Sequence, residues 1–178
     1  MHEGIFIAGF GGQGILLAGR MICLAAMAEG KFVSHIPSYG AEMRGGTANC
    51  SVIVSDEQIG SPLVPRPTAC IVMNTPSLLK FQPIVREGGL LIWNASLIDV
   101  EPERRDIESL AIPANRIAEE AGSYRAANMV VLGALLKRRP QVASLESVHG
   151  ALNEAVSARH RELNEINRKA LALGYAFV

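Results

Sequence analysis

A short apolar run, Ile5-Phe6-Ile7-Ala8, breaks directly into Gly9-Phe10-Gly11-Gly12-Gln13-Gly14, and an apolar stretch of helix length follows as far as Glu29. Strand, tight glycine turn and helix, in that order, predict the opening unit of an α/β fold whose first strand is buried on both faces. Glycines at such a turn let the backbone approach an anion closely, and the helix behind it supplies free N–H groups and a partial positive charge. Gly9-x-Gly11-x-x-Gly14 also has the dinucleotide spacing. The rest of that fingerprint is missing. A nicotinamide or flavin site carries Asp or Glu at the end of the second strand, where this chain has Val33-Ser34-His35-Ile36. Three readings stand at this point: an independent NAD(P) site, an anion-binding turn to which Gln13 adds its amide, and a turn that is glycine-rich only for tightness.

Beyond the first helix, residues 31–35, 48–55, 69–74, 90–94 and 110–113 read as short apolar strands. Ser61-Pro62-Leu63-Val64-Pro65-Arg66-Pro67 holds three prolines and is expected to cross the surface without regular structure. Helices are expected from Thr75-Pro76-Ser77, over 114–121, over 128–139 with Pro140 as terminator, and over 145–173, as one helix or two abutting ones ended by Gly174. The alternation predicts one domain, residues 1–178, of Rossmann-like α/β type, with a mostly parallel sheet and helices on both faces. The helix at 14–29 is charged only at Arg20 and Glu29, so it is expected to be covered on more than one side, by its own domain or by a subunit.

Charge narrows the function classes. Lys and Arg total 17 and Asp and Glu total 17, so a net charge of zero leaves no footprint for nucleic acid or an anionic membrane. Cys23, Cys50 and Cys70 are far apart, match no zinc or iron–sulfur spacing, and read as buried thiols in a reducing cytoplasm. The first residues lack the pattern of a signal peptide, and no run is apolar enough to span a membrane.

A second glycine-rich segment, Ser38-Tyr39-Gly40-Ala41-Glu42-Met43-Arg44-Gly45-Gly46-Thr47, follows about two dozen residues after the first. Arg44 before Gly45-Gly46 forms a credible grip for phosphate or carboxylate, with Tyr39 to stack and Glu42 to orient the guanidinium. A flexible loop with a surface Glu–Arg pair accounts for the same residues. Asn74 ends a strand where open α/β sheets place ligands.

The two glycine segments together resemble the gamma subunit (or gamma domain) of 2-oxoacid:ferredoxin oxidoreductases. The resemblance continues through Asn128-Met129-Val130-Val131-Leu132-Gly133 and Asn167-Arg168-Lys169-Ala170-Leu171-Ala172-Leu173-Gly174-Tyr175, and a free chain of this length looks most like the 2-oxoglutarate or branched-chain 2-oxoacid type. It implies a complex that decarboxylates a 2-oxoacid on thiamine diphosphate, passes electrons through iron–sulfur clusters to ferredoxin and forms an acyl-CoA. Thiamine diphosphate then belongs to the alpha and beta subunits, and the clusters to beta or a ferredoxin-like delta subunit. On this reading the chain alone binds no cofactor, holds no metal ligand or catalytic residue, works with those subunits in the cytoplasm, and can pair with a second copy when isolated. Gly11, Gly12, Gln13, Gly14, Ser38, Tyr39, Glu42, Arg44, Gly45, Gly46 and Asn74 are the residues expected to face coenzyme A or a partner subunit. The alternative is a stand-alone nucleotide-binding module or NAD(P)-dependent oxidoreductase.

Overall fold

In the computed structural model, which describes residues 1–39, 47–156 and 158–178, the opening run forms β1 (His2–Phe10) and the stretch after the turn forms α1 (Ile15–Ala28). Then come β2 (Phe32–Tyr39), β3 (Thr47–Ser55), β4 (Ala69–Val72), α2 (Thr75–Phe81), β5 (Leu90–Asn94) and β6 (Glu108–Ile112). The chain finishes in α3 (Ala114–Ala121), α4 (Ala127–Arg138), α5 (Leu145–Ala155) and α6 (Asn164–Phe177), with 3-10 turns at Tyr124–Ala126 and Ala158–Leu163. The proline-bearing segment after β3 contains no regular element, as expected from its lost donors.

Among the described residues the strands form one sheet in the order β2-β3-β1-β4-β5-β6. β1, β4, β5 and β6 are mutually parallel, while β3 runs antiparallel to both β1 and β2, so β2 also points along β1 and β3 alone is reversed. The sheet is therefore mostly parallel, but β3 separates β1 from β2. Alternating side chains of the central strands feed two cores. Ile5, Ile7, Ile71 and Ile92 join α1, α4 and the C-terminal helices in the larger one. Ala8, Val72 and Leu91 join Leu78 and Phe81 of α2 in the smaller. Helices thus lie on both faces, unequally.

The first helix owes its missing polar face to this layering. It packs on β1, β2 and β3 along one side and against α5 along the other. Arg20 reaches the carbonyl of Glu154 at 3.2 Å and so caps the C-terminal end of α5, where free carbonyls favour a cation. The cover comes from the chain's own domain.

The C-terminal region departs from expectation at Gly174. It does not end a helix; α6 continues through it to Phe177, and the stretch 145–173 is α5, a 3-10 turn and α6. Gly174 is there because α6 crosses α4 at very close range. A Cβ on Gly174 would stand 2.0 Å from the Val130 carbonyl oxygen, and one on Gly133 would stand 2.1 Å from that of Leu171. Backbone lies against backbone, and only glycine leaves the space.

Candidate functional site

At the carboxyl ends of β1 and β4 the chain parts. After β1 it turns onto one face of the sheet as α1, and after β4 onto the other as α2. Such a divergence opens a crevice where α/β sheets bind ligands. The glycine turn lies in it.

Phe10 to Gln13 form a tight turn closed by the Gln13 N–H donating to the Phe10 carbonyl at 3.1 Å. Gly12, third in the turn, has φ of 93°, the sign a type II turn demands there. Gly14 follows at φ 72°, in the left-handed region, as the N-cap of α1. No side chain caps this helix, so its first N–H groups remain available at the edge. Asn128 of α4 fills the space over Gly14 and donates from Nδ2 to its carbonyl at 3.2 Å.

Gln13 and Asn74 hold the turn in place. The Gln13 Oε1 accepts from the Phe10 N–H at 2.6 Å and from Asn74 Nδ2 at 3.3 Å, while Gln13 Nε2 donates to the Met73 carbonyl at 3.2 Å. Buried Asn74 also caps α2, its Oδ1 accepting from the Ser77 N–H at 2.9 Å. The amides of both expected site residues are thus engaged inside the chain.

Two clefts meet at Gly12. One, about 310 Å³, runs over the carboxyl ends of β1 and β4 between Gln13, Met73 and Leu97 on one side and Asn115, Tyr124 and Arg125 on the other. The second, about 370 Å³, is largely apolar, walled by Leu17, Val156, Leu163 and Ile166, with Asn128 and Arg125 at its edge. Arg125 is the only charged residue among the described residues lining either cleft, and its guanidinium lies 6.0 Å from the centre of the Tyr124 ring. A cation beside uncapped helical N–H groups, with no carboxylate in the walls, makes this edge suited to an anion.

The turn that carries Arg125 is tied to the sheet by residues whose role is not visible in the sequence. Fully buried Asn94, at the end of β5, accepts from the N–H groups of Ser96 and Ala114 at 3.2 Å each and donates to Asn115 Oδ1 at 2.7 Å. Asn115 Nδ2 reaches the Tyr124 carbonyl at 3.4 Å. The one available signal is repetition: an apolar run followed by asparagine recurs at Met73-Asn74, just beyond β4, and at Trp93-Asn94, which ends β5.

The second glycine segment is reached through β2 and β3. Tyr39 and Gly9 both pair in register with Ala48, and Ser38 pairs with Asn49 opposite Ala8, so β2 ends on the edge that carries the first turn. Gly40, Glu42, Arg44, Gly45 and Gly46 lie outside the described residues. The dinucleotide reading loses its second support here. With β3 between them, β2 stands about 10 Å from β1 instead of beside it. β2 also holds no carboxylate to take a ribose.

Burial pushes the thiols of Cys23, Cys50 and Cys70 up to about 12, which leaves them unreactive. Among the described residues no three His, Cys, Asp or Glu side chains gather to hold a metal, and no helix is long and apolar enough to cross a membrane.

Comparison with known proteins gives consistent matches. Residues 4–177 match the family model described as pyruvate ferredoxin/flavodoxin oxidoreductase. The ketoisovalerate oxidoreductase subunit VorA of Methanothermobacter marburgensis is 38% identical over 94% of this chain, which spans 35% of that relative's length. The 2-oxoglutarate synthase subunit KorC of the same organism is 36% identical, with 92% of this chain and 91% of the relative covered. The crystal structure of the keto/oxoacid ferredoxin oxidoreductase gamma subunit from Geobacter sulfurreducens superposes with a TM-score of 0.85 at 29% identity, over 99% of this chain and 95% of that one. The 2-oxoglutarate:ferredoxin oxidoreductase of Magnetococcus marinus, with 2-oxoglutarate, coenzyme A and succinyl-CoA bound, gives a TM-score of 0.87 at 26% identity, over 98% of this chain and 30% of that one.

Proposed function

The chain belongs to the pyruvate ferredoxin/flavodoxin oxidoreductase family, and from this we propose that it is the gamma subunit of a cytoplasmic, thiamine-dependent 2-oxoacid:ferredoxin oxidoreductase. It spans about a third of the length of the ketoisovalerate relative, and on this proposal the remaining functions fall to other chains. Those are alpha and beta subunits and a ferredoxin-like delta subunit, carrying thiamine diphosphate and iron–sulfur clusters, with ferredoxin as acceptor. Three buried free thiols suit the reducing compartment this assignment requires. Residues 1–178 act as one domain, built on a single sheet.

Within the complex the chain contributes part of the coenzyme A site. The observation that carries this is the glycine turn at the divergence of α1 and α2, opening onto two clefts whose sole charged lining residue among those described is Arg125. Coenzyme A offers phosphates for the turn amides and Arg125, and less polar portions for the wall of Leu17, Val156 and Ile166. Ser38, Tyr39, Glu42, Arg44, Gly45 and Gly46 form the second half of this surface, with Arg44 as a further cation.

Affinity purification of the tagged chain from its native cells tests the assignment. Larger subunits are expected to co-purify, and the preparation to reduce ferredoxin with a 2-oxoacid only when coenzyme A is present. A chain recovered alone that binds NAD(P)H tightly contradicts it.

A further inference from the structure

We propose that Gln13 is a positioning residue for coenzyme A, one that closes the glycine turn and ties it to Asn74 and Met73. This rests on the coenzyme A reading above. The three hydrogen bonds of the Gln13 amide all run inside the chain. Both main-chain polar groups of Phe10 are met by Gln13: the carbonyl by its N–H at 3.1 Å, the N–H by its side-chain oxygen at 2.6 Å. The turn is thus closed twice, once through backbone and once through side chain. The remaining bonds anchor that closed turn to the neighbouring strand. Nε2 donates to the Met73 carbonyl and Oε1 accepts from Asn74, a side chain itself fixed as the cap of α2. Gln13 therefore joins the two strand ends between which the crevice opens.

The bonding pattern also fixes which way the amide points. An N–H can only donate and a carbonyl can only accept, so Oε1 must face Phe10 N and Nε2 must face Met73 O. A carboxamide satisfies both; an ionised carboxylate of the same shape satisfies one and sets two oxygens against each other at Met73. It also puts a negative charge under amides that are to receive phosphate. Gly12 lines both clefts and makes no contact that a Cβ would disturb, so its placement depends on the turn's closure and not on packing.

The test uses Gln13→Glu and Gln13→Met in the assembled complex, with Arg125→Ala as comparator. Both Gln13 variants are expected to raise KM for coenzyme A about tenfold while kcat at saturation stays within about twofold and KM for the 2-oxoacid is unchanged. The Gln13→Glu defect, measured as a KM ratio to wild type, is expected to shrink as pH falls, because a protonated carboxyl regains the donor that Met73 needs. If Arg125→Ala raises KM but Gln13→Glu leaves it unchanged at every pH, the positioning role is wrong and the site reading stands. If none of the three variants alters KM, the site reading itself fails. Should Gln13→Met not assemble, Gln13→Glu alone decides.

Discussion

Gly174→Ala lowers the melting temperature of the purified chain by about 6–12 °C, corresponding to about 3 kcal/mol for a domain of this size. A single methyl has this effect because of what it meets. The nearest atoms to a Cβ on Gly174 are the carbonyl oxygen, carbonyl carbon and Cα of Val130, at 2.0, 2.7 and 2.8 Å. None can rotate away as a side chain can, so α6 must lift off α4. α4 is buried almost all round, and lifting α6 opens voids beside Val130, Leu171 and Ala170, all in the larger core. Gly133→Ala acts at the same crossing from the other helix, so the double variant loses less than the sum of the two. Gly150→Ala is the internal control. That glycine is also helical, in α5, but exposed with nothing within 4 Å of a Cβ, so alanine there raises stability by up to about 1 kcal/mol. A Gly174→Ala chain that melts like wild type would refute the close crossing.

Gly174 also marks the limit of what the sequence makes legible. Near the end of an apolar periodic stretch, a glycine has the look of a helix terminator. Its actual meaning depends on Gly133, forty-one positions earlier, and no local pattern joins the two. The glycine turn is the opposite case. Strand, turn and helix are contiguous, so β1, Gly12, Gly14 and α1 follow from neighbouring residues alone. The direction of β3 was not legible, because β-branched runs read alike whether parallel or antiparallel. Its insertion between β1 and β2 is nevertheless what separates this fold from a dinucleotide site. Arg125 was missed for a similar reason. Its 3-10 turn is tied to the sheet through Asn94 and Asn115, a chain of bonds linking the end of β5, the start of α3 and the Tyr124 carbonyl.

Arg125→Ala is expected to raise KM for coenzyme A about 10- to 100-fold in the assembled complex, the loss of charge-assisted hydrogen bonds to a phosphate. It is the sole charged residue lining either cleft among those described, with Arg44 the further cation proposed for this surface. Stability is expected to change little, since the side chain is exposed and makes no ion pair among the described residues. Arg125→Lys recovers only part of the affinity, because a point charge does not replace a planar fork. Affinity for the 2-oxoacid stays the same if, as proposed, that pocket belongs to other subunits. A KM for coenzyme A unaltered in Arg125→Ala would remove this residue from the site.

Both functional variants rest on one claim: that coenzyme A meets the amides of the glycine turn. Hydrogen–deuterium exchange on the assembled complex, with and without coenzyme A, reads those amides directly. Residues 11–17 and 125–128 are predicted to exchange more slowly when coenzyme A is bound, because the uncapped N–H groups of the turn and of the first turn of α1 acquire acceptors. Unchanged exchange across these residues, with protection appearing only elsewhere in the complex, would contradict the claim.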